Sequence, residues 1–126
     1  MSTYRNIIEL VDSYRPNALD ERLKLWWLVT LDGKIATEVM LMDVSEVREI
    51  LGREYPDALD FSALVEFPHE ELYLHYLEAK ISYSNEEYNS YQNAMESFNA
   101  AYRTYCTWLL NTYDPIKGLS GRRRET

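Results

Sequence analysis

Cysteine occurs once in these 126 residues, histidine twice, and glycine and proline four times each. The lone Cys106 has no partner for an internal disulfide, which excludes a disulfide-stapled scaffold and fits a reducing compartment. The glycines stand isolated at positions 33, 52, 118 and 121, so no glycine-rich loop exists to cradle a phosphate. His69 and His75 are six residues apart and do not share a helix face as i, i+4 metal ligands would. With Glu71 and Glu78, His75 could make at most a weak site, and a surface histidine among helix-stabilising carboxylates is the simpler reading. No apolar run approaches the 18 residues of a membrane span; the strongest, 23–31, carries Lys24. No charged-then-apolar leader opens the chain, so the expectation is a soluble, cytosolic protein.

Basic residues are also scarce, 13 against 21 acidic ones. Residues 116–126 hold +3 of the charge, through Lys117, Arg122, Arg123 and Arg124 against Glu125, which leaves −11 on the rest of a chain of net charge −8. An acidic body repels nucleic acid, and tyrosines alternate here with Asn, Ser and Glu instead of with basic residues. The carboxylate pairs Glu46 and Glu49, Asp57 and Asp60, Glu70 and Glu71, Glu86 and Glu87 lack a glycine-bearing calcium loop and read as solvated helix faces. Cys106 reads as an inert thiol. No catalytic residue, cofactor or metal site is expected.

What the chain has is tyrosine. Eight of its 11 tyrosines fall between Tyr73 and Tyr113. Tyr88, Tyr91, Met95, Phe98, Tyr102, Tyr105 and Leu109 recur at alternating steps of three and four, which keeps one stripe of a helix facing a partner. Asn85, Asn89 and Asn93 form a second ladder beside it. Tyrosine brings a hydroxyl that needs a partner, so the stripe is either a core helix with its hydroxyls at the rim or a surface shared with another chain.

The pattern predicts an all-α protein: a compact multi-helix bundle with a long C-terminal helix, in a single domain over residues 1–115 followed by a basic tail, 116–126. A first helix runs from Tyr4 to Tyr14, with Tyr4, Ile7, Ile8, Val11 and Tyr14 on one face and Pro16 ending it. Asn17 reads as the cap of the next helix. Within 23–42, Asp32-Gly33 fits a hairpin turn, but Leu25, Leu28, Ile35, Val39 and Met42 keep helical phase. Helix is therefore expected, kinked at Gly33 and continuing to about Leu51. Residues 52–68 form a long connection with a short helical turn at 60–64. A single helix over 69–113 would be about 68 Å long at 1.5 Å per residue. A compact domain cannot contain it, so a hairpin broken near Ser84-Asn85 is expected, with helices at 70–83 and 86–112 and a capping box of Ser84 and Glu87.

From Leu64 onward the order Phe67-Pro68, Glu71-Leu72-Tyr73, Tyr76-Leu77, Ala79-Lys80-Ile81, Asn85-Glu86, Tyr88-Asn89, Tyr91-Gln92-Asn93, Phe98-Asn99, Tyr102 and Trp108 resembles small virion proteins of tailed bacteriophages, the head–tail connector or head-completion adaptor proteins. The stretch from Tyr4 to Met42, with Trp27 and Leu31-Asp32-Gly33, is similar to that group too. The resemblance implies a non-enzymatic virion subunit that assembles as a homo-oligomeric ring on the phage portal protein, beside neighbouring connector or tail proteins. DNA would pass the channel without specific binding, and the subunit would be assembled in the bacterial cytoplasm for the head–tail neck. On that reading Tyr88, Asn89, Tyr91, Asn93, Trp26 and Trp27 are the candidate interface. Arg122, Arg123 and Arg124 form a candidate portal-docking tail. The alternative is a cytosolic helical-bundle protein that binds another protein as regulator or adaptor.

Overall fold

The computed structural model describes residues 2–112, and among them the regular elements are all helical. Helix α1 spans Tyr4–Tyr14, with the Thr3 hydroxyl accepting from the Asn6 N–H at 3.1 Å as its N-cap. Of its expected face Tyr4, Ile7, Ile8 and Val11 are buried, whereas Tyr14, at the last position of the helix, is half-exposed. Helix α2 spans Glu21–Glu38 and is capped by Asp20, not by Asn17. Asn17 has other work: its side chain accepts from the buried Lys24 ammonium at 3.1 Å and donates to Asp12 at 2.9 Å. Lys24 also reaches both Asp12 carboxylate oxygens, so a cation inside an apolar run is fully paired.

Asp32-Gly33 lies in mid-helix, and α2 passes through it without becoming a hairpin. Glycine there leaves room for the Leu51 side chain. A Cβ at position 33 would stand 2.3 Å from Leu51 Cδ2, because helix α3 (Val44–Leu51) crosses α2 at that point. The helical run does not continue to Leu51 as expected. It stops at Glu38, and Leu41 takes a left-handed conformation with φ 53° while the Met42 N–H closes onto the Ala36 carbonyl. Asp43 then starts α3 by accepting from the Glu46 N–H at 3.0 Å. Asp43 and Glu46 had the spacing of a start signal in the sequence, and that signal overrides the helical phase of the flanking residues.

After α3 a 3₁₀ turn occupies Asp57–Asp60, three residues earlier than expected, and 61–63 run extended beside the start of α1. The Tyr4 N–H donates to the Phe61 carbonyl at 3.1 Å and the Ala63 N–H to Ser2 at 3.0 Å. The peptides before Pro56 and Pro68 are cis. Helices α4 (Glu71–Ser84) and α5 (Tyr88–Thr112) then form the expected hairpin. Its turn differs from a capping box: Ser84 ends α4, Asn85 is its C-cap, and Glu86 is left-handed at φ 61°.

Three aromatic rungs fix the hairpin's register. His69 meets Tyr105 at 5.6 Å between ring centroids, Tyr76 meets Phe98 at 5.1 Å, and Tyr83 meets Tyr91 at 5.2 Å. Each rung lies one heptad from the next, rising on one chain segment and falling on the other, as antiparallel helices with a 3.5-residue repeat require. The tyrosine stripe is thus spent largely within the chain. Tyr105, Phe98 and Leu109 are buried, Tyr102, Met95 and Tyr91 are half-buried, and only Tyr88 at its upper end is exposed. One hydrophobic core draws on α1, α2, α4, α5 and the 52–70 connection.

Candidate protein-interaction surface

Tyr14, Phe61, Phe67 and Trp108 are exposed singly outside that core, and two further aromatic surfaces hold the residues expected at an interface. The first is the tip of the α4–α5 hairpin. Tyr83 and Tyr88, each more than half exposed, meet edge to face at 5.9 Å, and Tyr91 supports Tyr83 from below. Asn89 and Asn93 are exposed one and two turns along α5, whereas Asn85 belongs to the turn and not to that ladder. Arg15, at the end of α1, donates to Glu87 and, at 3.1 Å, to the buried Ser82 hydroxyl, so the tip is tied to the body. Glu86 is exposed beside the ring pair.

The second surface lies on α2. Trp26 is 60% exposed, while its neighbour Trp27 is half-buried against the core, so the pair divides as its helical spacing demands. Beside Trp26 is an open hollow of about 340 Å³ between α2, the end of α3 and Tyr55. Leu25 and Val29 form its floor, the half-exposed Leu51 one wall, and Arg22 lies over the Tyr55 ring at 5.0 Å from its centroid. No ring contact among the described residues joins the tryptophans to the tyrosine tip, so the structure divides the six candidate residues into two patches. Arg122, Arg123 and Arg124 lie outside the described residues.

The groups with perturbed chemistry lie behind these surfaces. Asp32 is fully buried, and its carboxylate accepts from the Tyr4 hydroxyl at 2.5 Å, the Tyr73 hydroxyl at 2.5 Å and the Leu64 N–H at 3.1 Å. Tyr73 accepts in turn from the Val65 N–H at 2.9 Å, and Arg53 donates to the Tyr4 hydroxyl at 2.8 Å and the Ser62 carbonyl at 3.4 Å. Three donors from α1, α4 and the connection thus converge on one carboxylate of α2, and Val65 and Arg53 hold two of those donors from behind. Burial raises the Asp32 pKa, opposed by the two tyrosine hydroxyls, the Leu64 N–H and the Arg53 charge. Burial also raises Tyr4 and Tyr73, reinforced by the Asp32 charge. Chemically this is a clasp: it holds 62–65 against the body and leaves the carboxylate's oxygens engaged.

Elsewhere burial, then Cys106 and Glu38, pushes the Tyr102 phenol up to about 12, and burial pushes the Cys106 thiol up, away from the reactive thiolate. His69 stacks among Tyr105 and Trp108, and no cluster of metal-ligating side chains forms among the described residues. No described helix is long and apolar enough to cross a membrane. Sequence reasoning missed Tyr83, the ring on which the tip is built, because it falls on the other side of the turn from the tyrosine stripe. It also missed Arg22, Tyr55 and the whole clasp. The visible signal for the clasp was a carboxylate in helical phase with Leu25, Leu28 and Ile35, a placement that burial permits only with partners.

No protein-family model, no curated protein and no solved structure matches this chain.

Proposed function

We propose that this chain is a non-enzymatic structural subunit of a tailed-bacteriophage head–tail connector, which assembles as a ring on the portal protein during head completion. The observation that carries this reading is a helical body, clasped inside by Asp32, on which the tyrosine tip and the Trp26 hollow are two separate aromatic patches facing outward. A ring subunit needs two unlike contact surfaces, because a heterologous contact repeated round an axis closes on itself. Exposed tyrosine, tryptophan and asparagine suit such contacts, since they combine large rigid area with hydrogen-bonding capacity. The net charge of −8 suits a channel through which DNA slides without sticking. Residues 64–108, which carry the resemblance to connector proteins, span the clasped segment and most of the α4–α5 hairpin. In this reading the subunit works in the virion neck after assembly in the bacterial cytoplasm, and Arg122, Arg123 and Arg124 contribute to portal docking.

The test is electron microscopy of the protein mixed with the portal protein of the same phage. A ring of this chain capping the portal is the expected result. Absence of binding at high concentration would transfer the aromatic patches to a different partner, as in a cytosolic helical adaptor.

A further inference from the structure

We propose that the hollow on α2 receives the α4–α5 tip of a second copy of this chain, so that each subunit presents both halves of one repeated contact. The inference rests on the ring reading in taking a second copy as the occupant; the choice of surfaces comes from shape and charge. At the tip Tyr83 meets Tyr88 and Tyr91 through ring contacts, and the exposed Glu86 lies in the turn between them. The hollow is a concavity with an apolar floor and Trp26 at its edge.

Charge orients the pair. Arg22, Thr30 and Lys34 share the outward stripe of α2 with Trp26, at steps of four residues. Neither Arg22 nor Lys34 forms an ion pair with another described residue, and neither does Glu86. Arg53 also lines the hollow, with Glu54 as the one carboxylate in its wall. On a body of strongly negative net charge, two cations outside any ion pair beside an apolar floor mark the place where an acidic aromatic tip meets least repulsion. Seating Tyr88 against Trp26 and Leu51 would bury rings that now face water, with Glu86 brought to Arg22 or Lys34. The two halves use different residues, so the contact is heterologous and propagates head to tail.

Paired cysteines test this. In a Cys106→Ser background, Thr30→Cys protein and Asn89→Cys protein are mixed at millimolar concentration and oxidised. The expected product is a mixed disulfide dimer, with each variant alone giving little. Arg22→Glu with Lys34→Glu in the first partner should lower its yield roughly tenfold, and Glu86→Arg in the second should restore it. Circular dichroism checks that every variant is folded. Equal cross-linking within each variant alone, or none between the two, overturns the pairing. If rings form on the portal while the mixed cross-link is absent, this contact is wrong and the connector reading survives. If the cross-link forms but the portal is not bound, the contact stands and the connector reading fails.

Discussion

Asp32 carries more of the fold than any other single polar residue described here. Its carboxylate is desolvated completely, and that cost is offset by the hydroxyls of Tyr4 and Tyr73, the Leu64 N–H and the nearby Arg53 charge. Asp32→Ala would leave two buried hydroxyls and one N–H without their acceptor, and should destabilise by about 3–5 kcal/mol in urea unfolding. Tyr73→Phe removes one donor and strands the Val65 N–H, for about 1–3 kcal/mol. The tyrosines also set a limit at high pH. Burial raises both above the ordinary tyrosine value, so the native state keeps protons that the unfolded chain releases. Their contribution is fully present below about pH 10, the unfolded value, and is lost as pH rises from there toward the folded value. Urea midpoints should therefore fall between pH 9.5 and 11, on the order of the tyrosine pKa, and less steeply for Tyr73→Phe. A flat profile through that window would contradict the buried phenols.

At the scale of the element, the loops between helices carry the strain. Leu41 adopts φ 53° and is more than half exposed, so its side chain earns little packing in return. Leu41→Gly should stabilise the protein by about 0.5–1 kcal/mol, because relief of the left-handed conformation outweighs the added freedom of the unfolded chain. A thermal melt moved upward checks this. The same residue explains where sequence reading failed. Helical phase runs through Val39 and Met42, and nothing about a leucine announces a positive φ, so one helix was expected where α2 and α3 stand apart. The C-terminal hairpin was legible because its signals agree: the aromatic heptad of α5 and the acidic start of α4 both match the fold. The turn between them was legible in position but not in mechanism, since Glu86, a residue without turn preference, takes the left-handed site. What Gly33 makes room for was hidden for a related reason, since the Leu51 side chain meets it only in the folded chain. The candidate surface divides in the same way: helical spacing exposes Trp26 and buries Trp27, but Tyr83, Arg22 and Tyr55 come together only through tertiary packing.

For the whole molecule, folding and the proposed assembly should be separable, because different aromatics are buried in the core and exposed on the surface. Phe98 sits on the middle rung of the hairpin and is 7% exposed, so Phe98→Ala should cost about 3–5 kcal/mol and weaken any assembly only by unfolding the subunit. Trp26 and Tyr88 face water over more than half their surface. Trp26→Ala and Tyr88→Ala should each leave stability within about 0.5 kcal/mol of the parent, while an interface anchor of this kind should lose 2 kcal/mol or more of contact energy on truncation, roughly thirtyfold in affinity. Tyr91 lies between these cases, since it props Tyr83 as well as edging the tip, and Tyr91→Ala should show both effects. The paired measurement is urea unfolding of each variant beside its binding to the portal. Variants of Trp26 and Tyr88 that fold normally and bind normally would remove both patches from the mechanism. Loss of binding at unchanged stability would mean that this helical body turns its aromatics outward for a partner, because its own core has no use for them.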